Sequence, residues 1–224
     1  MLPHTFRRFD DGETVAALGY DIVMRRRNAG MLELPTGELV ACDPLTFLDT
    51  EPFDIAIEPG RYPVLLFVAE LRDESRLAYA MLEVSRERTV RWKRADVQED
   101  DVRRTLFDPP DGGYPVDSSV GSFMDAHTAG VLMNYTPLLE DDEFPRAIHG
   151  EMRRQQRQGF AWANLDIRQS LGIHSGQTLN LITFETGFGP GLYETWVGLD
   201  EKGRVTRVVS DFQVLDLHFR SFPM

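Results

Sequence analysis

The sequence predicts an α+β fold dominated by antiparallel strands, built as two packed sheets or one strongly curved sheet, with an N-terminal helix and an inserted helical segment. Three observations carry this. Short apolar runs alternate with polar residues and break at Pro, Gly and Asp through residues 31–95 and again through 160–224. Helical spacing of apolar residues occurs near the N-terminus and between about Asp125 and Gly159. Hydrophobic residues make up 42% of the 224 positions and charged residues 27%, which is ordinary globular usage with material for a core.

In chain order, Thr14, or Asp11 before it, caps a helix carrying Val15, Leu18, Ile22 and Val23, and Arg25, Arg26 and Arg27 suit its negative carboxyl end. Leu32 and Leu34, then Pro35-Thr-Gly37, then Leu39, Val40 and Ala41 read as two short strands joined by a tight turn, ended by Asp43-Pro44. Phe53, Ile55 and Ile57 alternate as a strand. After Pro59-Gly60 come a long strand over Tyr62 to Leu71, a turn at Asp73-Glu74-Ser75, a strand with Leu77, Tyr79 and Met81, and a short one over Thr89 to Trp92. The segment Asp96 to Leu106 reads as a short helix or a surface loop, and Asp108-Pro-Pro-Asp-Gly-Gly113 breaks the chain.

Asp125 caps a helix reaching about Tyr135, with Ala129, Leu132 and Met133 to one side. A second helix follows Asp141 and Asp142, with Phe144, Ile148 and Met152 as its apolar stripe and Gly159 as its stop. Strands return over Phe160–Ile167, Thr178–Glu185, Leu192–Leu199 and Arg204–Leu215, the last two joined by Asp200-Glu-Lys-Gly203. There is no repeat and no composition shift that marks a linker. The expectation is one domain: a helical arm over 1–30, a first meander over 31–95, a site loop with helices over 113–159 and a second meander over 160–224.

Lys and Arg total 24 against 36 Asp and Glu, a formal net charge of -12. That charge repels phosphate backbones and argues against nucleic-acid binding, while a basic partner or a cation is attracted. One cysteine, Cys42, excludes an internal disulfide and a zinc site of several thiolates. No apolar run is long enough for a membrane span and the N-terminus makes a poor secretory signal, so a cytoplasmic protein is expected.

Candidate chemistry concentrates in Gly113-Tyr-Pro-Val-Asp-Ser-Ser-Val-Gly-Ser-Phe-Met-Asp125. Tyr114, Asp117, Ser118, Ser122 and Asp125 could supply oxygen ligands to a divalent cation or orient a ligand, although the spacing matches no calcium loop. The plainer alternative is that Asp117 makes a side-chain turn and Asp125 caps the helix. Asp43 and Asp211, at strand ends, could join them as a carboxylate cluster. A serine nucleophile has only His127 nearby in sequence as its base, without the strand and helix context of a nucleophile elbow.

Cys42, beside Asp43, reads as a packed and inert thiol. Histidines 4, 127, 149, 174 and 218 lack metal-ligand spacing, and Trp92, Trp162 and Trp196 fall on strand patterns as core or pocket walls. The glycine-rich stretch Glu185 to Tyr193 lacks the lysine and helix of a phosphate loop and reads as a hairpin rim that could wall a pocket.

Taken together, Leu34-Pro-Thr-Gly-Glu-Leu-Val-Ala-Cys-Asp-Pro-Leu45, Pro59-Gly-Arg-Tyr-Pro63, Leu77-Ala-Tyr-Ala80, Gly113-Tyr-Pro-Val-Asp-Ser118, Gly121-Ser-Phe-Met-Asp125 and Ser210-Asp-Phe212 resemble the bacterial family catalogued as domain of unknown function 4241, over about Met31 to Leu215. The resemblance implies a cytoplasmic bacterial origin and no particular mechanism. The chain departs from the family pattern at Ser122, where a cysteine is common, and at Gly189-Pro-Gly191, where Gly-Asp-Gly is.

Two functions are therefore expected, in order. The first is a non-catalytic protein- or ligand-binding protein, for example a toxin-neutralising immunity-type partner of a basic protein. The second is a metal-assisted hydrolase using Asp117 and Asp125 with Asp43 or Asp211.

Overall fold

The structure, a computed structural model, describes residues 6, 9–17, 19–97, 113–156 and 160–215. Its N-terminal part differs from the predicted helix. Strands β1 (Thr14–Ala17) and β2 (Tyr20–Leu34) form an antiparallel hairpin, pairing Ala17 with Tyr20 and Thr14 with Val23. The apolar spacing that suits a helix also fits a two-residue alternation once Gly19 turns the chain, and it buries Ile22 and Met24 and, further on, Leu32 and Leu34. β-Branched Val15, Ile22 and Val23 favour that outcome. The three arginines are no helix terminus: Arg25 pairs with Glu70 at 2.8 Å, Arg26 with Asp10 at 3.4 Å and Arg27 with Asp11 at 3.2 Å.

β2 pairs along β4 (Gly60–Glu70), with a register shift between Asn28 and Gly30. The Pro35-Thr-Gly turn therefore does not close a hairpin: β3 (Leu39–Cys42) leaves for a second sheet and pairs with β8 (Val120–Asp125). Nor do Phe53, Ile55 and Ile57 form a strand. Pro52 and Pro59 confine the segment, and its one bridge joins Phe53 to Val97 while Phe53 and Ile57 enter the core.

β5 (Ser75–Glu83), β6 (Arg91–Arg94), β7 (Gly113–Val116), β11 (Gly191–Leu199) and β12 (Val205–Asp211) complete the larger sheet. Its order is β1-β2-β4-β5-β12-β11-β6, with β7 also on β11. The smaller sheet runs β3-β8-β10-β9, where β9 is Trp162–Asp166 and β10 is Asn180–Glu185. The predicted loop 113–125 is thus mostly two strands, one in each sheet. Beyond Val97 the predicted 96–106 segment and most of the 108–113 breaker lie outside the described residues, as does the Gly159 stop.

Helix α1 (Ala126–Tyr135) starts at Asp125 as the sequence predicts, and α2 (Glu143–Gln155) buries Phe144, Ile148 and Met152. A short α3 (Ile167–Leu171), absent from the sequence reading, follows β9. Its cap is Asp166, whose carboxylate accepts from the Arg168 and Gln169 amides.

Alternation along the smaller sheet sorts its side chains into two cores. Ala41, Phe123, Ile182 and Phe184 face the larger sheet, whereas Val40, Met124, Leu165 and Leu181 pack under the helices. The other face of the larger sheet carries Phe6, against Tyr79 and Trp92 with centroids 5.7 and 5.5 Å away, and Phe9 against Phe67. Among the described residues no helix is long and apolar enough to cross a membrane.

Candidate functional site

The chain crosses between the sheets by short corners at residues 35–38, 117–119 and 186–190, and Asp43, Asp117, Ser118 and Asp125 meet the first two of these corners. Asp43 follows β3 and is fully buried. Its Oδ2 accepts the amides of Asp117 at 2.9 Å and Ser118 at 2.7 Å, and its Oδ1 accepts the Leu45 amide at 2.9 Å and the Ser118 hydroxyl at 2.8 Å. One carboxylate thus ties the end of β3 to the β7–β8 corner. Asp117 contributes its backbone there, and its side chain is exposed.

Asp125, also fully buried, does the equivalent at the first corner. It caps α1 by accepting the His127 amide at 2.8 Å, and it accepts the Thr36 amide at 3.1 Å and the Thr36 hydroxyl at 2.9 and 3.0 Å. Gly37 in this corner has φ +80, and a Cβ there would meet the Ile57 carbonyl oxygen at 2.0 Å. Thr36 was not among the sequence candidates. Its only signal was the turn chemistry of Pro35-Thr-Gly37, which says nothing of a partner 89 residues away.

Ser122 is buried beside Cys42: its hydroxyl donates to the Cys42 carbonyl at 2.9 Å and lies 3.7 Å from the thiol. Burial pushes the Cys42 thiol up to about 12, against a weaker opposing effect from Ser122. Tyr114 is buried in the opposite sheet, and its hydroxyl makes no hydrogen bond of normal geometry. Desolvation raises its pKa, and the neighbouring Ser210 hydroxyl offsets part of the rise. Asp211 ends β12, 3% exposed, and accepts the Gln213 amide at 2.9 Å.

The structure therefore joins Asp43, Asp117 and Ser118 but not the full carboxylate set. Asp43 and Asp125 stand at opposite ends of the β3–β8 pair. Four residues of strand separate them, roughly 13 Å, whereas ligands of one hard cation lie about 2.6 Å from a common point. Among the described residues no group of three or more His, Cys, Asp or Glu side chains could hold a metal ion.

A cleft of about 780 Å³ opens instead beside the third corner, between the β4–β5 turn and residues 185–190. The glycine-rich rim does wall a pocket. Thr186 donates its amide to the Ser119 carbonyl and its hydroxyl to the Gly189 carbonyl, and Tyr193 donates to the same Gly189 carbonyl at 2.6 Å. Gly187 is required because a Cβ would lie 2.7 Å from the Phe212 carbonyl oxygen. Held this way, the rim presents Phe188, 54% exposed, with the Arg76 guanidinium 5.6 Å from its ring centroid. Exposed Asp73, Glu74 and Glu185 line the cleft with Glu70, against two arginines: Arg76 is paired with Glu74, and Arg72 leans over Tyr20.

These features define a protein of two antiparallel sheets whose corners are tied by buried carboxylates, with an acidic, aromatic-edged cleft at one of them. The sequence profile of the family described as Protein of unknown function (DUF4241) matches residues 32–210, and the chain belongs to that family. Neither the curated proteins nor the solved structures include a match to it.

Proposed function

We propose that this protein is a non-catalytic binding protein of the bacterial cytoplasm, an immunity-type partner that neutralises a basic protein. The observation that carries the reading is electrostatic: a formal net charge of -12, with exposed Asp73, Glu74 and Glu185 around a cleft edged by exposed Phe188. An aromatic anchor beside exposed carboxylates that outnumber the arginines of the cleft suits a basic surface, because the ring supplies contact area and the charges steer the encounter. The hydrolase alternative draws no support from Asp43 and Asp125, whose oxygens already accept the amides and hydroxyls described above.

The test is to capture partners by cross-linking in the native host, purify the partner, and titrate it calorimetrically against the wild type and a Phe188→Ala, Asp73→Lys, Glu74→Lys variant. A basic partner whose affinity falls with salt, and falls at least about tenfold in the variant, fits the proposal. Equal affinity for the variant, or a stoichiometric divalent ion with hydrolytic turnover, contradicts it.

A further inference from the structure

Against its overall negative charge the chain carries a locally cationic stretch with few ion pairs. Residues 86–94, Arg-Glu-Arg-Thr-Val-Arg-Trp-Lys-Arg, hold five cations and one carboxylate. Arg94 pairs with Glu194 at 2.8 Å, but Arg86, Arg88, Arg91 and Lys93 are exposed and have no ion pair among the described residues. Elsewhere among the described residues most arginines are in ion pairs, as with Arg25, Arg26, Arg27, Arg61, Arg146 and Arg204.

The same stretch ends the larger sheet. β6 pairs with β11 on one side, and no described strand pairs with its other edge. A cleft of about 810 Å³ lies beside it, lined by Arg91 and Lys93 together with Asp54, Glu58 and Glu87. Behind it Arg207 donates to the Thr89 hydroxyl at 2.6 Å, while its buried Nε has no partner. An edge strand presents a row of backbone donors and acceptors, and cations along it repel a basic strand and attract an acidic one.

We propose that the open edge of β6 takes an acidic extended peptide segment as an added strand, its backbone pairing with β6 and its carboxylates meeting Arg86, Arg88, Arg91 and Lys93. A peptide fits better than a nucleic acid, because an edge strand offers backbone pairing that only a peptide can use. The inference is independent of the basic-partner reading, which concerns the cleft beside Phe188.

The experiment is fluorescence anisotropy with a labelled octapeptide of alternating Glu and Val, at ~50 mM salt, where surface charges are only lightly screened. Three comparisons accompany it: the Arg86→Glu, Arg88→Glu, Arg91→Glu, Lys93→Glu variant, whose folding is checked by circular dichroism; the same peptide N-methylated at alternate residues; and a single-stranded oligonucleotide of equal charge. The expected result is saturable peptide binding that weakens at least about tenfold in the variant and on N-methylation, with the oligonucleotide bound more weakly. Absence of peptide binding, equal binding by the folded variant, indifference to N-methylation, or tighter binding of the oligonucleotide each overturns the proposal. If the variant does not fold, the N-methylated peptide and the oligonucleotide decide the matter on the wild type.

Discussion

Asp43 shows how a residue marked in sequence as a candidate ligand becomes a structural tie. The sequence displays a carboxylate before a proline, and that much was legible; its acceptance of amides 74 and 75 residues away was not, since no local pattern encodes such a partner. Replacing it with alanine strands buried donors, so Asp43→Ala should lose about 3–5 kcal/mol of stability in urea unfolding. The reading of Cys42 as inert follows from local composition and agrees with a buried thiol pushed up to about 12. Folded protein at pH 8 should leave Cys42 unlabelled by a thiol reagent, and urea should make it react. The sign of the linkage is destabilising at high pH: the neutral thiol is favoured in the fold, so this contribution is complete below the unfolded value of 9.0 and declines as pH rises above it.

At the level of single elements, β4, α1 and α2 were readable because burial on one side leaves a clear period in the sequence. The N-terminal hairpin was not, because Val15, Ile22 and Val23 satisfy two periods at once and Arg25 to Arg27 mimic a helix end while in fact meeting carboxylates. Turns carry their own tests. Gly37→Ala should cost more than ~3 kcal/mol, since a carbonyl must move, whereas Gly176→Ala, also at positive φ but with open space around it, should cost about 1–2 kcal/mol. In the β11–β12 turn Asp200 has its pKa lowered, first by the Arg204 amide at 2.9 Å and also by the Arg204 guanidinium. Its stabilising effect is therefore complete above the unfolded carboxylate value of about 3.9 and is lost as pH falls through the lower folded value. Asp200→Asn should flatten that part of the acid limb in urea unfolding measured between about pH 2 and 6.

For the whole molecule, the antiparallel meander was legible and the partition of strands between two sheets was not. Pro35-Thr-Gly37 reads as a hairpin turn and Asp117 as a side-chain turn, yet each sits in a corner that carries the chain from one sheet to the other, because Asp125 and Asp43 fix the corners from a distance. In the loop 113–125 the oxygens of Ser118 and Asp125 join hydrogen bonds that hold the corners, and a cleft lies at the Gly-rich rim. Whether Asp43 and Asp125 tie the sheets through these hydrogen bonds alone can be read from native-state amide hydrogen exchange on chelator-treated protein. The account predicts slow exchange at Thr36, Leu45, Asp117, Ser118 and His127, whose amides these two carboxylates accept. Exchange at solvent rates there, with protection appearing only when a divalent ion is added, would contradict it.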